Sequence, residues 1–373
     1  MILDGATKRF GFGCMRLPMK GEEVDIEQMR SMVDLFLEQG FNYFDTAHGY
    51  IRGLSELAVK ETLSSRYPRE RFFLTDKLTE PYFNSREDIR PFLLSQLEAT
   101  GVEYFDYYLM HAQNRNNYEK FKACDAYNAV AELKKEGLIR HIGISFHDTA
   151  EVLDRILTEQ PVIEVVQIQF NWLDYESPTV QSKLLYEVCK KHGKPIIVME
   201  PVKGGTLVNL PPDAAAIFDE LHGGSYASYA LRFVLSFPQI AMVLSGMSSL
   251  EQMEDNISST KDFVPFSEKE YDAVERIREI YAAKKTIPCT KCRYCIEENA
   301  CPMNILIPEV FSCVNAKNVF NDWSSRFYYR QDVASQGHGK ASDCIKCGGC
   351  EAVCPQGLPI RQLLEEAAGM FED

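Results

Sequence analysis

From about residue 9 to residue 260, short runs of β-branched and aromatic residues alternate with stretches whose apolar residues recur at helical spacing among charges. The runs predict strands at Phe10–Cys14, Asn42–Asp45, Phe72–Lys77, Tyr104–Met110, Ile142–Ser145, Val165–Ile168, Pro195–Met199 and Ala241–Leu244. Helices are predicted at Ile26–Gln39, Glu87–Ala99, Asp125–Glu136, Thr149–Thr158, Pro178–His192 and Tyr226–Ser236, mostly ended by Gly, Pro or a polar turn. Sustained alternation of this kind implies parallel strands covered by helices, either a (β/α)8 TIM barrel or a doubly wound sheet. No G-x-G-x-x-G follows the first strand, so the Rossmann option loses its main support.

The pattern changes near the polar segment Ser258–Asp262. One more helix is predicted at Ser267–Ala283, and Lys284-Lys285 then opens a tail holding nine of the twelve cysteines, Cys313 by itself and eight at close spacing. The eight fall in two runs, Cys289-x2-Cys292-x2-Cys295-x5-Cys301-Pro302 and Cys344-x2-Cys347-x2-Cys350-x3-Cys354-Pro355. Three thiolates two residues apart, with a fourth just before a proline, can cap the irons of a cubane, so the tail is expected to hold two [4Fe-4S] clusters. A zinc site would more usually take separated C-x2-C pairs, and a disulfide scaffold would need an oxidising compartment. In two-cluster ferredoxins the fourth cysteine of each run serves the other cluster. On that rule Cys289, Cys292, Cys295 and Cys354 hold one centre, and Cys344, Cys347, Cys350 and Cys301 the other.

Ile307-Pro308-Glu309 and Leu358-Pro359-Ile360 each precede a helical pattern, which predicts a small, mainly helical dicluster ferredoxin-like domain. The expected domains are therefore a barrel over 1–283 and an iron–sulfur domain over 284–373. The aromatics between the runs, Trp323, Phe327, Tyr328 and Tyr329, are expected to pack around the clusters. Cys14, Cys124, Cys189 and Cys313 are scattered and read as small buried hydrophobes.

The net charge of −14 arises almost wholly in residues 1–283, where 30 Lys and Arg meet 43 Asp and Glu. That balance disfavours nucleic acid and anionic membranes as partners. The opening residues lack an apolar h-region and no apolar run reaches membrane-span length, so a reducing cytoplasm is expected.

Chemistry-bearing side chains gather where strands should end, the face on which barrel enzymes build their sites. Asp45 ends the second strand, Tyr50 follows it, Lys77 ends the third and His111 the fourth. Carbonyl reduction needs a proton donor for the developing alkoxide, and a tyrosine of free pKa about 10 serves near neutrality only if a nearby cation favours its ionised form. Lys77 would be that cation, Asp45 its anchor, and His111 the group that orients the substrate oxygen.

The segment Asn42-Tyr-Phe-Asp-Thr-Ala-His-Gly-Tyr50, followed by Gly53 and Ser55-Glu56, resembles the signature of the aldo-keto reductases. Their Asp, Tyr, Lys, His tetrad is matched by Asp45, Tyr50, Lys77 and His111. The resemblance extends over residues 9 to about 260 and includes Gly143-Ile144-Ser145, Gln167 with Asn171, Pro201 with Gly205, and a loop from Gly246 to Asn256. It implies an NADP or NAD cofactor, its nicotinamide amide held by Ser145, Gln167 and Asn171, and its adenosine by the loop carrying Gly246, Ser248, Gln252 and Asn256. Positions often basic in NADP-preferring members are Gly246 and Gln252 here, which leaves NAD and NADP both open. Met199 falls where many members stack a tyrosine on the nicotinamide ring.

A nicotinamide moves two electrons as hydride and an iron–sulfur centre moves one, so direct exchange between the halves needs a converter. The expected activity is therefore NAD(P)H-dependent interconversion of a small carbonyl and its alcohol, with clusters that stabilise the tail, sense redox state or reach another carrier. The alternative is an electron-transfer protein whose barrel binds a nucleotide or partner and whose true substrate is a redox protein. A binding or regulatory barrel with residual cofactor affinity is a third. The βα loops predicted to shape the pocket are Leu78–Ser85, His111–Tyr118 and Trp172–Ser177, with Trp172 and Tyr82 as its walls and space left by Ala112.

Overall fold

In the computed structural model, residues 2–177, 180–299, 301–320, 325–335 and 337–372 are described. Eight parallel strands close into a barrel in the spatial order β1, β10, β9, β8, β7, β6, β5, β4. They are β1 (Phe10–Gly13), β4 (Tyr43–Asp45), β5 (Phe73–Leu78), β6 (Phe105–Gln113), β7 (Ile139–Phe146), β8 (Val165–Gln169), β9 (Ile196–Met199) and β10 (Ile240–Gly246). All eight predicted strands are present. A short antiparallel hairpin, β2 (Met19–Lys20) with β3 (Glu23–Val24), lies outside the barrel and has too few residues to leave a periodic signal.

Strand periodicity decides what faces the barrel interior. Tyr43, Tyr107, Leu109, Val165, Ile197, Met242 and Leu244 pack together there. Two residues further along their strands come Asp45, Gln167 and Met199, and from Leu109 the same step reaches His111. The barrel is thus apolar within and polar at its C-terminal mouth, the end where enzymes of this architecture work. Strand β6 outlasts its predicted end: the β6–β7 register shifts between Met110 and Gln113, and Ala112 there has φ +51°. Such a bulge re-aims neighbouring side chains, and it sits beside His111.

The helical layer is α1 (Ile26–Glu38), α2 (Leu54–Val59), α3 (Arg86–Thr100), α4 (Asn117–Ala123), α5 (Ala126–Lys135), α6 (Ala150–Glu159), α7 (Ser182–Lys191), α8 (Pro212–Asp219), α9 (Tyr226–Leu235) and α10 (Leu250–Lys261). Met29, Met32, Val33, Phe36 and Leu37 form the buried stripe of α1, and Phe36 stacks on Phe41. The six helices expected here are found; α7 starts only at Ser182, because Gln181 before it stands at φ +56°, and Pro178 lies outside the described residues. Helices α2, α4, α8 and α10 were not anticipated. Helix α10 corrects the expectation of a loop to Asn256 and of a polar break at Ser258–Asp262: only Met247–Ser249 is loop. Its sequence buries just Met253, Asn256, Ile257 and Thr260, too thin a stripe to read through its charges. Likewise the expected His111–Tyr118 loop shrinks to Asn114–Asn116.

The chain divides into two compact units, Met1–Val202 with Ala227–Phe266, and Lys203–Tyr226 with Ser267–Asp373. In the second unit, α11 (Glu268–Ala283) opens with a Ser267/Glu270 capping box and packs on α8. The remainder is helical: α12 (Tyr294–Glu297), α13 (Ile307–Phe320), α14 (Ser325–Tyr328), α15 (Gly349–Ala352) and α16 (Ile360–Phe371). Its core joins Ile305, Val310, Phe311 and Val314 to Ile360, Leu364 and Phe371. The aromatic expectation needs correcting. Tyr329 is buried against Phe371 and donates to Glu372, but Phe327 and Tyr328 are 60% and 54% exposed, and Trp323 lies outside the described residues. Among the described residues no helix is long and apolar enough to cross a membrane.

Candidate active site

The barrel mouth gathers four side chains from β4, the segment after it, β5 and β6. Lys77 is wholly buried, and its Nζ donates to Asp45 Oδ1 and to the Thr46 carbonyl, each at 2.7 Å. The same Nζ lies 4.8 Å from the centroid of the Tyr50 ring, and the Tyr50 and His111 ring centroids are 6.0 Å apart, near edge-on. Burial raises the Asp45 carboxyl above its usual range, while Lys77 and the amide of Gln167 draw it back down. Burial, then the charges of Lys77 and His147, hold His111 well below its ordinary value, so its imidazole is neutral.

Local geometry explains why the segment around Tyr50 takes this shape. Ile51 and Arg52 have φ of +52° and +56°, and Gly53 has +87°. For a β-branched residue this is strained backbone, here beside the tyrosine it positions. Ser55 Oγ donates to the Cys14 carbonyl and contacts Thr46 Oγ1, both at 2.8 Å. His48 Nδ1 meets Glu56 Oε2 at 2.8 Å, which raises the His48 pKa. Behind Lys77, Asp76 Oδ1 accepts from the Lys77 amide at 2.8 Å and from Gln96 Nε2 at 3.0 Å, and burial followed by the charge of Glu56 pushes Asp76 well up.

Two functional contacts escaped sequence reasoning. The Thr46 carbonyl holds the ammonium of Lys77 as closely as Asp45 does, and a backbone oxygen carries no residue-type signal. Thr79 Oγ1 lies 2.9 Å from His111 Nδ1, and its position two residues after Lys77 is the one cue the sequence offered.

The residues expected to hold a nucleotide are placed unequally. Ser145 Oγ accepts from the Ala112 amide at 2.8 Å, and Gln167 Nε2 donates to Asp45 Oδ2 at 3.1 Å. Asn171 is committed to its own turn: its amide donates to Asp174 and to the Glu200 carbonyl, and its Oδ1 accepts from Leu173 and Asp174. Met199 ends β9 and Pro201 is buried just beyond it. Gly205, with φ +93°, belongs to the segment that groups with the second unit. Ser248 and Gln252 are exposed, and Gln252 Oε1 accepts from the Ser248 amide at 2.8 Å. Asn256 is buried and donates to Ser245 Oγ at 2.9 Å. Of the expected pocket walls, Trp172 is fully buried while Tyr82 is 44% exposed, stacked on Phe92 and edge-on to His48.

In the second unit the cysteines of the two runs form no disulfide and fall into two electrostatic groups. Cys295 feels the charges of Cys292, Cys289 and Cys354 most strongly of the other thiols, and Cys350 those of Cys344, Cys347 and Cys301. Burial pushes Cys289 and Cys350 up to about 11 and raises Cys295 and Cys354 as well, so their thiolates call for cationic partners. Both runs share one backbone form, with positive φ at Lys291 and Arg293 in the first and at Lys346 and Gly348 in the second. Among the described residues no three His, Cys, Asp or Glu converge tightly enough for a single metal ion. A tetrahedral zinc would need its sulfurs about 3.8 Å apart, from Zn–S bonds of about 2.3 Å.

Residues 9–279 match the family model described as Aldo/keto reductase family, and residues 288–359 match one described as 4Fe-4S dicluster domain. Among curated proteins, an uncharacterized oxidoreductase of Schizosaccharomyces pombe is 26% identical over 269 residues, covering 69% of this chain and 82% of the relative. Among solved structures, the holo form of an aldo-keto reductase from Bacillus halodurans is 26% identical with a TM-score of 0.59, covering 72% of this chain and 91% of that one. An aldo-keto reductase from Klebsiella pneumoniae in complex with NADPH has a TM-score of 0.60 at 19% identity, covering 72% and 90%, a likeness of fold.

Proposed function

The chain belongs to the aldo/keto reductase family, and from that premise we propose that its barrel interconverts a small carbonyl compound and the corresponding alcohol with NADPH or NADH. The observation that carries this reading is the buried Lys77 ammonium, anchored by Asp45 and Thr46 and set 4.8 Å from the Tyr50 ring. A cation fixed there favours the phenolate, so it makes the Tyr50 hydroxyl a better acid toward a developing alkoxide. Because Lys77 is desolvated, its field on the phenol is weakly screened. Asp45 keeps the ammonium aimed and in turn takes a hydrogen bond from Gln167.

His111 is the substrate-orienting group in this reading. A neutral imidazole has one N–H, and the hydroxyl of Thr79 can donate to Nδ1, which puts that N–H on Nε2, the donor that would meet a carbonyl oxygen. When bound, the nicotinamide supplies the hydride for the carbonyl carbon. Ser145 and Gln167 would hold its amide, with Met199 beside the ring, and Ser248, Gln252 and Asn256 would face the adenosine. Gln167 suits that task because its Nε2 is committed to Asp45, which leaves Oε1 to accept from a carboxamide.

In the tail, two [4Fe-4S] clusters would be held crosswise, one by Cys289, Cys292, Cys295 and Cys354 and the other by Cys344, Cys347, Cys350 and Cys301. The two electrostatic groups of thiols support that assignment. Such clusters supply one-electron transfer. The dicluster domain also favours a second reading, in which a redox protein is the substrate and the barrel a nucleotide-binding module.

Turnover of a panel of aldehydes and ketones by protein purified without air, followed at the nicotinamide absorbance with NADH and NADPH, tests the first reading. Absence of turnover, together with reduction of the clusters by a protein donor, would replace it with the second.

A further inference from the structure

Behind Lys77, between the barrel and its helical layer, two acidic side chains are buried against each other. Alternation along β5 turns Lys77 toward the barrel mouth and Asp76 outward, to α2 and α3. Asp76 and Glu56, the latter on α2, are both almost wholly buried. Their carboxyls meet in a side-chain hydrogen bond, yet the donors around them are unevenly shared. Glu56 Oε2 faces His48 Nδ1 at 2.8 Å, and Oε1 accepts from Gln96 Nε2 at 3.3 Å. Asp76 Oδ1 accepts from the Lys77 amide and from the same Nε2, but no donor among the described residues reaches Asp76 Oδ2. Tyr108 donates to Gln96 Oε1 at 2.6 Å, which fixes the amide in this orientation.

A buried carboxylate oxygen without a donor is costly, and so are two ionised carboxyls in contact. One proton removes both costs. We propose that Asp76 and Glu56 share a single proton, seated on Asp76 Oδ2 and donated to Glu56, and that the pair is a positioning device that leaves the Lys77 ammonium opposite one carboxylate, Asp45, instead of two. The shared proton stands on the contacts alone, whereas its consequence for Tyr50 rests on the reading of the barrel as a reductase. With the proton in place, all four oxygens of the pair have partners. Gln96 Nε2 also donates to the Lys77 carbonyl at 3.0 Å, so the network holds the backbone of the lysine on both its sides. The groups facing the pair are His48 from the segment after β4, Gln96 from α3, Tyr108 from β6, Lys77 on the same strand, and Cys14 after β1 within electrostatic reach. Burial, then the charge of Glu56, raises Asp76 against the weaker pull of Lys77, and burial with both carboxyls keeps the Tyr108 phenol neutral and able to donate.

Infrared spectra of the full chain, purified without air with its clusters intact, test this at the carbonyl stretch of a protonated carboxyl, where ionised carboxylates do not absorb. The difference between wild type and Asp76→Asn should contain one such band at neutral pH, moving on exchange into D2O. In Glu56→Gln the pH at which that band disappears should fall by about one unit or more, because the neighbouring negative charge is gone. The alkaline limb of kcat for a carbonyl should move to lower pH with it, while dinucleotide affinity stays within about twofold of wild type. Adding Asp76→Asn to Glu56→Gln should return that limb to the wild-type position or above, whereas two merely structural losses would add. No band in the difference spectrum overturns the shared proton, as does a midpoint that Glu56→Gln leaves in place. Should Asp76→Asn fail to fold, the midpoint in Glu56→Gln decides. A band that behaves as expected beside an unmoved kcat limb overturns the role toward Lys77. Wild-type protein that turns over no carbonyl would instead remove the reading of the barrel as a reductase, and the infrared result would stand apart from it.

Discussion

Lys77 and Asp45 form a buried ion pair, with Nζ 2.7 Å from Oδ1 and neither side chain more than 4% exposed. Removing one member of such a pair leaves the other charged and desolvated, which costs about 3–5 kcal/mol. Lys77→Ala should therefore destabilise the barrel by about that amount, while Lys77→Met, which fills the volume, should cost less. Urea unfolding at neutral pH measures both. A loss below about 1 kcal/mol for Lys77→Ala would mean that water reaches the pair, and that the field on Tyr50 is screened.

The same ammonium is the reason to expect acid catalysis from Tyr50. Tyr50→Phe keeps the ring that Lys77 faces and deletes only the hydroxyl. Carbonyl turnover should fall by about 10²- to 10⁴-fold, the usual contribution of a positioned acid, while dinucleotide affinity stays within about twofold of wild type. Stopped-flow hydride transfer and equilibrium titration separate these. Turnover that survives the change would remove Tyr50 as the acid.

Histidine titration gives two opposed pH effects on stability. His111 is held well below its ordinary value, so below a pH of about 6.5 the unfolded chain takes a proton that the folded chain refuses, and stability falls as pH falls. His48 is raised by its bond to Glu56, so its contribution is full below about 6.5 and is lost as pH rises through the folded value. His111→Gln should flatten the acid limb of a plot of urea midpoint against pH, and His48→Gln the alkaline one. A plot unaltered by either substitution would contradict both assignments. Thr79→Val, which removes the hydroxyl beside His111 Nδ1, should raise KM for the carbonyl more than it changes dinucleotide affinity.

The barrel was legible because its strands are short, apolar and separated by regular breaks, and because Asp45, Lys77 and His111 each stand near a strand end. What escaped notice has physical causes. Helix α10 hid because it buries few residues, and the β6 bulge because a positive φ at alanine leaves no compositional trace. The hold of the Thr46 carbonyl on Lys77 and the meeting of Glu56 with Asp76 are contacts made in space between segments distant in sequence. The mainly helical tail could be read from its two Ile-Pro and Leu-Pro helix starts, whereas the exposure of Phe327 and Tyr328 could not be read from residue type.

The crossed assignment of the cysteines makes a sharp expectation for the tail. Cys354 stands in sequence with the second run but lies within electrostatic reach of Cys289 and Cys295, and Cys301 stands with the first run but faces Cys350. If ligation follows these groups, Cys354→Ala removes a ligand from the centre of the first run and Cys301→Ala one from that of the second. Each variant should lose close to half of its iron and acid-labile sulfide, and the low-temperature resonance of the reduced protein should lose a different component in each. The double variant Cys292→Ala, Cys354→Ala should then lose no more iron than either single change, because both act on one centre. In the uncrossed arrangement that double variant would strip both centres, so iron content alone distinguishes the two.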